Sequence, residues 1–298
     1  MKKNFFKDFK GDFKKELGQF AEKIREHIST DTGEWAIKGF IDIYKNIYTI
    51  SSDTKIVSKI LEIHLFPKIL QFAESIGYQI VLAEKQNYYP DLTFVKKEND
   101  KVKFAVDIKT TFRRNDSSVG FTLGSHGAYF IQRDKQKNIQ FPYNQYSGHF
   151  VLGVIYTRVD FNDEKDGQIY RVNELKGEKE KALNKIGARQ VTEVKNLKSI
   201  ASVIRDFDFF TAEKWKIASD SQGSHNTANI GCVIDLQDLK SENGVFSKLG
   251  ETWFDEYWQN YGHITHKGKK ITKLKDYLDF KGKPELWKKI TTKIVRSK

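Results

Sequence analysis

The sequence predicts an α/β (α+β) fold, and three observations carry the prediction. Residues 102–109 (VKFAVDIK) alternate apolar and polar with a period of two, the pattern of a strand with two distinct faces. Residues 150–156 (FVLGVIY) form the longest apolar run, far too short for a membrane span and suited to a buried strand. Residues 4–28 and 54–75 carry apolar side chains at helical spacing, so helices interleave with the strands. With 298 residues, 39% hydrophobic and 30% charged, the chain can bury a large core under a polar surface, and it reads as one elaborated domain spanning 1–298.

Taken in order, Phe6, Phe9, Phe13, Leu17, Phe20, Ile24 and Ile28 line one face of the first helix, facing a core or a second subunit. Residues 35–50 are rich in β-branched and aromatic side chains around a Lys45-Asn46 turn and read as a hairpin. Ser51-Ser52-Asp53 caps a helix over 54–75, with Ile56, Ile60, Ile63, Leu70 and Phe72 inward. Pro67 is expected to kink or divide it, and Gly77 to stop it. Glu62 lies between Leu61 and Ile63, so the pattern leaves its face undecided.

Residues 78–82 are a strand, and 83–89 (AEKQNYY) a polar loop leading to Pro90-Asp91. Glu98-Asn99-Asp100 reads as the turn of a hairpin joining Asp91's strand to residues 102–109, and residues 113–118 (RRNDSS) as a loop. The charged stretch 160–210 changes pattern often and holds a helix over 197–209. Residues 215–218 and 230–236 are strands bracketing a loop of small, amide and hydroxyl residues, 219–229 (SDSQGSHNTAN). Such a loop suits a DNA groove or a flexible surface turn. Trp253, Phe254, Tyr257 and Trp258 follow at helical spacing and read as core.

The formal net charge of +12 favours a polyanionic partner. From Lys267 onward, eleven lysines and one arginine stand against three acids, so +9 of it sits in the last segment. Cys232 is the single cysteine, which excludes an internal disulfide and a multi-cysteine zinc site and fits a reducing, cytoplasmic compartment. The residues after Met1-Lys2-Lys3 supply no uninterrupted apolar core for a signal peptide. Walker loops, dinucleotide fingerprints and zinc spacings are missing from the sequence.

Period two puts Asp107 and Lys109 on one face, with Asp91 on the neighbouring strand. Two converging carboxylates are hard oxygen ligands suited to Mg²⁺, and a lysine beside them can orient a water and offset charge on a phosphoryl transition state. Gln86 and Asn87 can donate and accept toward base edges, or satisfy the loop backbone; Thr110 and Thr111 can bind phosphate, or serve as strand formers.

Pro90-Asp91 with Asp107-Ile108-Lys109 forms the PD-(D/E)xK nuclease motif, and the chain resembles the EcoRV-type type II restriction endonucleases. The likeness extends to Ser52-Asp53-Thr54-Lys55, Gln86-Asn87, Asp107 through Thr111 (DIKTT), Phe121-Thr122-Leu123-Gly124, Lys137-Asn138-Ile139, Tyr156-Thr157-Arg158-Val159 and the loop 223–231 (GSHNTANIG). The resemblance implies a restriction-endonuclease-like core, a mixed central β-sheet flanked by helices. It implies Asp91, Asp107 and Glu62 as metal-binding carboxylates and Lys109 as the lysine near the attacking water.

It further implies that the Gln86-Asn87 loop approaches the minor groove, while Gly223, Ser224, His225, Asn226, Thr227 and Asn229 form the loop that reads the major groove. Thr54, Lys55, Thr110, Thr111 and Lys137 become backbone contacts or supports. The implied enzyme is a Mg²⁺-dependent homodimer cutting double-stranded DNA to blunt ends at GATATC or a related palindrome, paired genetically with a methyltransferase. Residues 1–50 become dimerisation elements, 51–160 the catalytic core, 211–236 the recognition region and 262–298 a basic extension. His225 stands where the family pattern has a second glycine, and a Cβ there alters how closely the backbone approaches base edges. Two alternatives remain: a structure-specific repair nuclease on the same fold, and a non-catalytic DNA-binding protein.

Overall fold

The computed structural model describes residues 8–85, 87–159, 188–193, 200–223 and 228–291. Its first half runs α1 (Phe9–Lys23), α2 (Arg25–Ile28), β1 (Gly39–Ile41), β2 (Asn46–Ile50), α3 (Thr54–Ser75), β3 (Tyr78–Leu82), β4 (Leu92–Lys96) and β5 (Asn99–Arg114). There follow β6 (Ser117–Ser118), β7 (Thr122–Ser125), α4 (Ala128–Ile131), β8 (Gly148–Arg158), β9 (Ala188–Glu193), β10 (Ile204–Glu213), β11 (Ala218–Gln222) and β12 (Asn229–Cys232). The central sheet has the order β10-β8-β5-β4-β3. It is mixed, since β5 and β8 pair in parallel while the remaining neighbours are antiparallel. This is the α+β arrangement with flanking helices that the sequence predicts.

Alternation along the two central strands explains why the sheet carries a core on each face. Phe104, Val106 and Ile108 of β5, with Phe150, Leu152, Val154 and Tyr156 of β8, join α1 and α3 in one core. Ala105, Val151 and Ile155 turn to the other, which holds Phe210, Phe254, Tyr257 and Trp258. Phe13 of α1 is buried and stacks 4.3 Å from Phe104; burying such a ring contributes roughly 1.5–3 kcal/mol. The described part of the basic segment supplies Leu274, Tyr277, Leu278 and Ile290 to the second core and leaves Lys267, Lys269, Lys270, Lys273 and Lys275 exposed. Among the described residues no helix is long and apolar enough to cross a membrane.

Several elements differ from the sequence expectation for identifiable reasons. Helix α3 spans the expected residues with Asp53 as its cap, accepting from the N–H groups of Lys55 and Ile56. It runs unbroken through Pro67, and it exposes Ile63 and Leu70 while burying Val57, Leu61, Leu65 and Ile69. Its apolar residues occupy nearly every face, so periodicity alone did not select the buried one. The hairpin over 35–50 is confined to β1 and β2, with Asp42 accepting from the N–H groups of Tyr44 and Asn46 in the turn.

The turn before β5 falls at Lys97-Glu98, and residues 113–118 form a hairpin around Asn115-Asp116 instead of a loop. The expected helix over 197–209 is strand β10 from Ile204 onward, and its first residues lie outside the described ones. A register shift between Arg205 and Asp208, with Asp206 at φ 56°, sets buried Ile204, Phe207 and Phe210 three apart and so imitates a helical period. Lys214–Lys216 is a 3-10 turn preceding β11, not a strand. Strand β12 ends at Cys232, and an Asp235-capped helix begins at Leu236.

Candidate active site

Strand pairing brings the two carboxylates together. Leu92 pairs with Val106 across β4 and β5, so Asp91, the residue before β4, stands beside Asp107. The Asp91 N–H donates to Asp107 Oδ1 at 3.2 Å, and the Ile108 N–H donates to Asp91 Oδ2 at 2.8 Å. Lys109 Nζ lies 3.0 Å from Asp107 Oδ2, on the face that period two predicts. Asp107 is buried, at 5% exposure, and Asp91 is partly buried.

The electrostatics are those of a site with an excess of negative charge. Burial, then the neighbouring Asp107, push Asp91 up to about 6, with Glu62 adding to the shift; Lys109 and the Ile108 N–H oppose it. Burial pulls Lys109 down, but Asp107 and then Asp91 outweigh it and hold the ammonium above its ordinary value. Hard carboxylate oxygens whose repulsion a cation would relieve fit a divalent metal of the magnesium class. Asp91 and Asp107 are the residues that could hold it.

Glu62 of α3 enters the electrostatic field of Asp91 and Lys109, but its carboxylate is ion-paired with Lys59 at 2.7 Å. Among the described residues no group of three or more His, Cys, Asp or Glu side chains forms a metal cluster. A two-carboxylate site remains compatible with magnesium, which keeps several waters and takes other ligands from phosphate. The Ser58 and Thr110 hydroxyls hydrogen-bond, tying α3 to β5. Thr111 is 2% exposed, and its hydroxyl has no hydrogen-bond partner among the described residues, which suits a support and not a surface contact. Thr54 opens α3, Lys55 is exposed beside it, and Lys137 is exposed next to Asn138.

The loop before Asp91 is held from both sides. The Tyr89 N–H donates to the Asn138 carbonyl at 3.1 Å, and the Gln140 N–H donates to the Tyr89 carbonyl at 2.8 Å. The peptide bond Tyr89-Pro90 is cis. Asn87 is exposed in the turn leading there, while Gln86 lies outside the described residues.

A second sheet, β11-β12-β7, carries the loop of small and amide residues. Gln222 pairs with Ile230, Asn229 with Ser125, and the Gly223 N–H donates to the Asn229 carbonyl at 3.1 Å, closing the loop base. A Cβ on Gly223 would come within 2.9 Å of the Thr122 methyl and 3.1 Å of the Gly231 Cα, so a side chain here would force its neighbours to shift. Ser224, His225, Asn226 and Thr227 lie outside the described residues. Gln222 Nε2 is 2.8 Å from His126 Nε2.

Sequence reasoning missed three participants. Lys59 pairs with Glu62, Ser58 braces Thr110, and Lys214 is buried against Tyr89. Lysine is ordinarily a surface residue, and no pattern in Glu213-Lys214-Trp215-Lys216 singles out the middle lysine as buried.

Comparison with known proteins agrees with this geometry. The family model for restriction endonuclease EcoRV matches residues 31–184 and 179–282. The Escherichia coli type II restriction enzyme EcoRV is 31% identical over 247 residues, covering 82% of this chain and 90% of that protein. With the mixed sheet and the Asp91-Asp107-Lys109 arrangement already in hand, matches of this extent establish that the chain belongs to the EcoRV restriction endonuclease family.

Proposed function

We propose that this chain is a Mg²⁺-dependent type II restriction endonuclease that acts as a homodimer and hydrolyses double-stranded DNA to blunt ends at GATATC or a related palindrome. The observation that carries the reading is the contact between Asp91, Asp107 and Lys109 at the edge of the β4–β5 hairpin. Asp91 and Asp107 hold the cation, with Glu62 adding negative charge nearby. When bound, the cation supplies positive charge to the scissile phosphate and the attacking water. Lys109, kept protonated by the two aspartates, orients that water and offsets charge as the phosphorus–oxygen bond breaks.

The loop from Gly223 to Asn229, including Ser224, His225, Asn226 and Thr227, reads base edges in the major groove. Gln86 and Asn87 approach the minor groove. Thr54, Lys55 and Lys137 contact backbone phosphates, Thr110 and Thr111 brace the catalytic strand, and the net positive charge adds affinity for any sequence. A two-fold protein matches a two-fold site. The β1–β2 hairpin supports the dimer, since it exposes Phe40 (53%), Ile41 (62%), Ile43 (87%) and Tyr44 (78%). The enzyme works in the cytoplasm beside a methyltransferase that protects the host site.

The test is a digest of a defined plasmid with magnesium and with a chelator, followed by mapping of the fragment ends. Discrete blunt fragments that require magnesium are expected. Cleavage without a fixed sequence would favour a structure-specific nuclease, and binding without cleavage would favour a non-catalytic DNA-binding protein.

A further inference from the structure

Lys214 opens the 3-10 turn after β10 and is 2% exposed. Its Nζ lies 4.6 Å from the centroid of Tyr89, 5.5 Å from Phe130, 5.7 Å from Tyr143 and 6.0 Å from Tyr129. Among the described residues it has no hydrogen-bond partner. Its neighbours in sequence differ, for Glu213 and Lys216 pair with each other at 2.6 Å. An ammonium enclosed by four rings without an acceptor is an unfavourable thing to bury, and aromatic faces offset only part of that penalty. Stability therefore gives no reason for a lysine here.

What the rings support does give one. Tyr89 stacks on Tyr129 at 5.1 Å and 14°, and its hydroxyl is 2.9 Å from His149 Nδ1. His149 in turn stacks on Tyr143 at 3.9 Å. The backbone of Tyr89 is tied to Asn138 and Gln140, and Pro90-Asp91 follows directly. The box also closes over Lys214 at Gly124, where φ is +86° and a Cβ would stand 2.7 Å from the Tyr129 hydroxyl and 3.7 Å from Lys214 Nζ.

We propose that Lys214 is a positioning residue for DNA cleavage: by holding its ammonium against the Tyr89 ring, it fixes the backbone that sets Asp91 beside Asp107. The inference rests on the nuclease reading above. Burial draws Lys214 down, with Asp107 opposing the shift and Lys109 adding to it, so the link to the site runs through the Tyr89 ring, 4.6 Å from Nζ. It touches neither carboxylate, and its effect is on their alignment.

The experiment compares unaltered protein with K214M, which keeps the length of the side chain and removes the charge. Three quantities are measured: kcat on a site-bearing duplex with magnesium, KM for that duplex, and the melting temperature. A positioning role predicts kcat lower by about ten- to a hundredfold, the loss expected of small misalignments at a reacting centre. KM should stay within about twofold, and the melting temperature should hold or rise because an unpaired buried charge has gone. Unchanged kcat overturns the proposal. So does a K214M protein that fails to fold or melts lower with kcat and KM both impaired, since that is the mark of a structural lysine. Failure of the unaltered protein to cut DNA would overturn the nuclease reading and this inference with it, whereas cutting by both proteins at the same rate removes this inference alone.

Discussion

Glu213 and Asp91 border the same central sheet, and their surroundings move them in opposite directions. Glu213, at the end of β10, is penalised by burial but accepts from Lys10, Lys216 and the Trp215 indole, which together bring it down to about 2. Lys10 Nζ stands 2.7 Å from it, Lys216 2.6 Å and Lys14 3.3 Å, and Lys14 and Lys216 also reach Glu242. Asp91 is pushed up to about 6, because it is partly buried and Asp107 stands beside it, while Lys109, which opposes the shift, is engaged with Asp107 at 3.0 Å. One cluster neutralises its charge within the chain and pins α1 to the sheet. The other sets two carboxylates against one lysine, the excess of negative charge on which the proposed cation site rests.

The sharpest way to break this comparison is to remove the two paired carboxylates. Asp91→Ala and Asp107→Ala are each expected to lower kcat by about 10³-fold or more while metal-free DNA binding holds or tightens. A plasmid-cleavage assay beside a filter-binding titration checks both halves, and undiminished cutting by either variant would remove the catalytic assignment.

Glu213→Gln should show the opposite profile. Lys10, Lys14 and Lys216 lose a buried anionic partner, and folding stability is expected to fall by roughly 3 kcal/mol in urea titrations. Because Glu213 is depressed in the folded state, its contribution is full above its ordinary value of 4.5 and is lost as pH falls toward about 2. A variant as stable as the unaltered protein would mean that the network contributes nothing.

Asp91→Asn completes the contrast with the smallest effect. Asp91 is raised in the folded state, so between its ordinary value of 3.8 and about 6 the folded chain binds more protons than the unfolded one. Stability from this group is therefore greatest in acid and declines as pH rises through that window. The asparagine variant is expected to be more stable than unaltered protein at pH 7.5 by roughly 1–3 kcal/mol, with the gain vanishing near pH 4. Thermal melts across pH without metal measure this, and a destabilised variant would contradict the idea that the carboxylate is kept at a cost.

What could be read from residues alone depended on whether local physics decided the matter. Asp53 before an apolar run sets a helix start by its own capping bonds, and α3 begins where expected. Asp107 and Lys109 share a face because strands have period two, so their contact was legible before any coordinate. In β10 a register shift replaced that period with spacings of three, and the strand passed for a helix. Lys214 was illegible for a different reason: its burial is set by Tyr89, Tyr129, Phe130 and Tyr143, which the fold gathers from distant positions. The two-carboxylate hairpin is local, while the box that backs it is tertiary.

The ion pairs that fasten α1 also bear on the order of synthesis. Lys14 and Glu213 are 199 residues apart, and Lys10 and Glu251 are 241 apart. At about 5–20 residues per second, a ribosome delivers the second partner of each pair roughly 10–50 seconds after the first. Phe13 of α1 can meet Phe104 and Phe150 during that interval, whereas Lys14 and Lys10 wait, solvated, for acids translated 199 and 241 residues later.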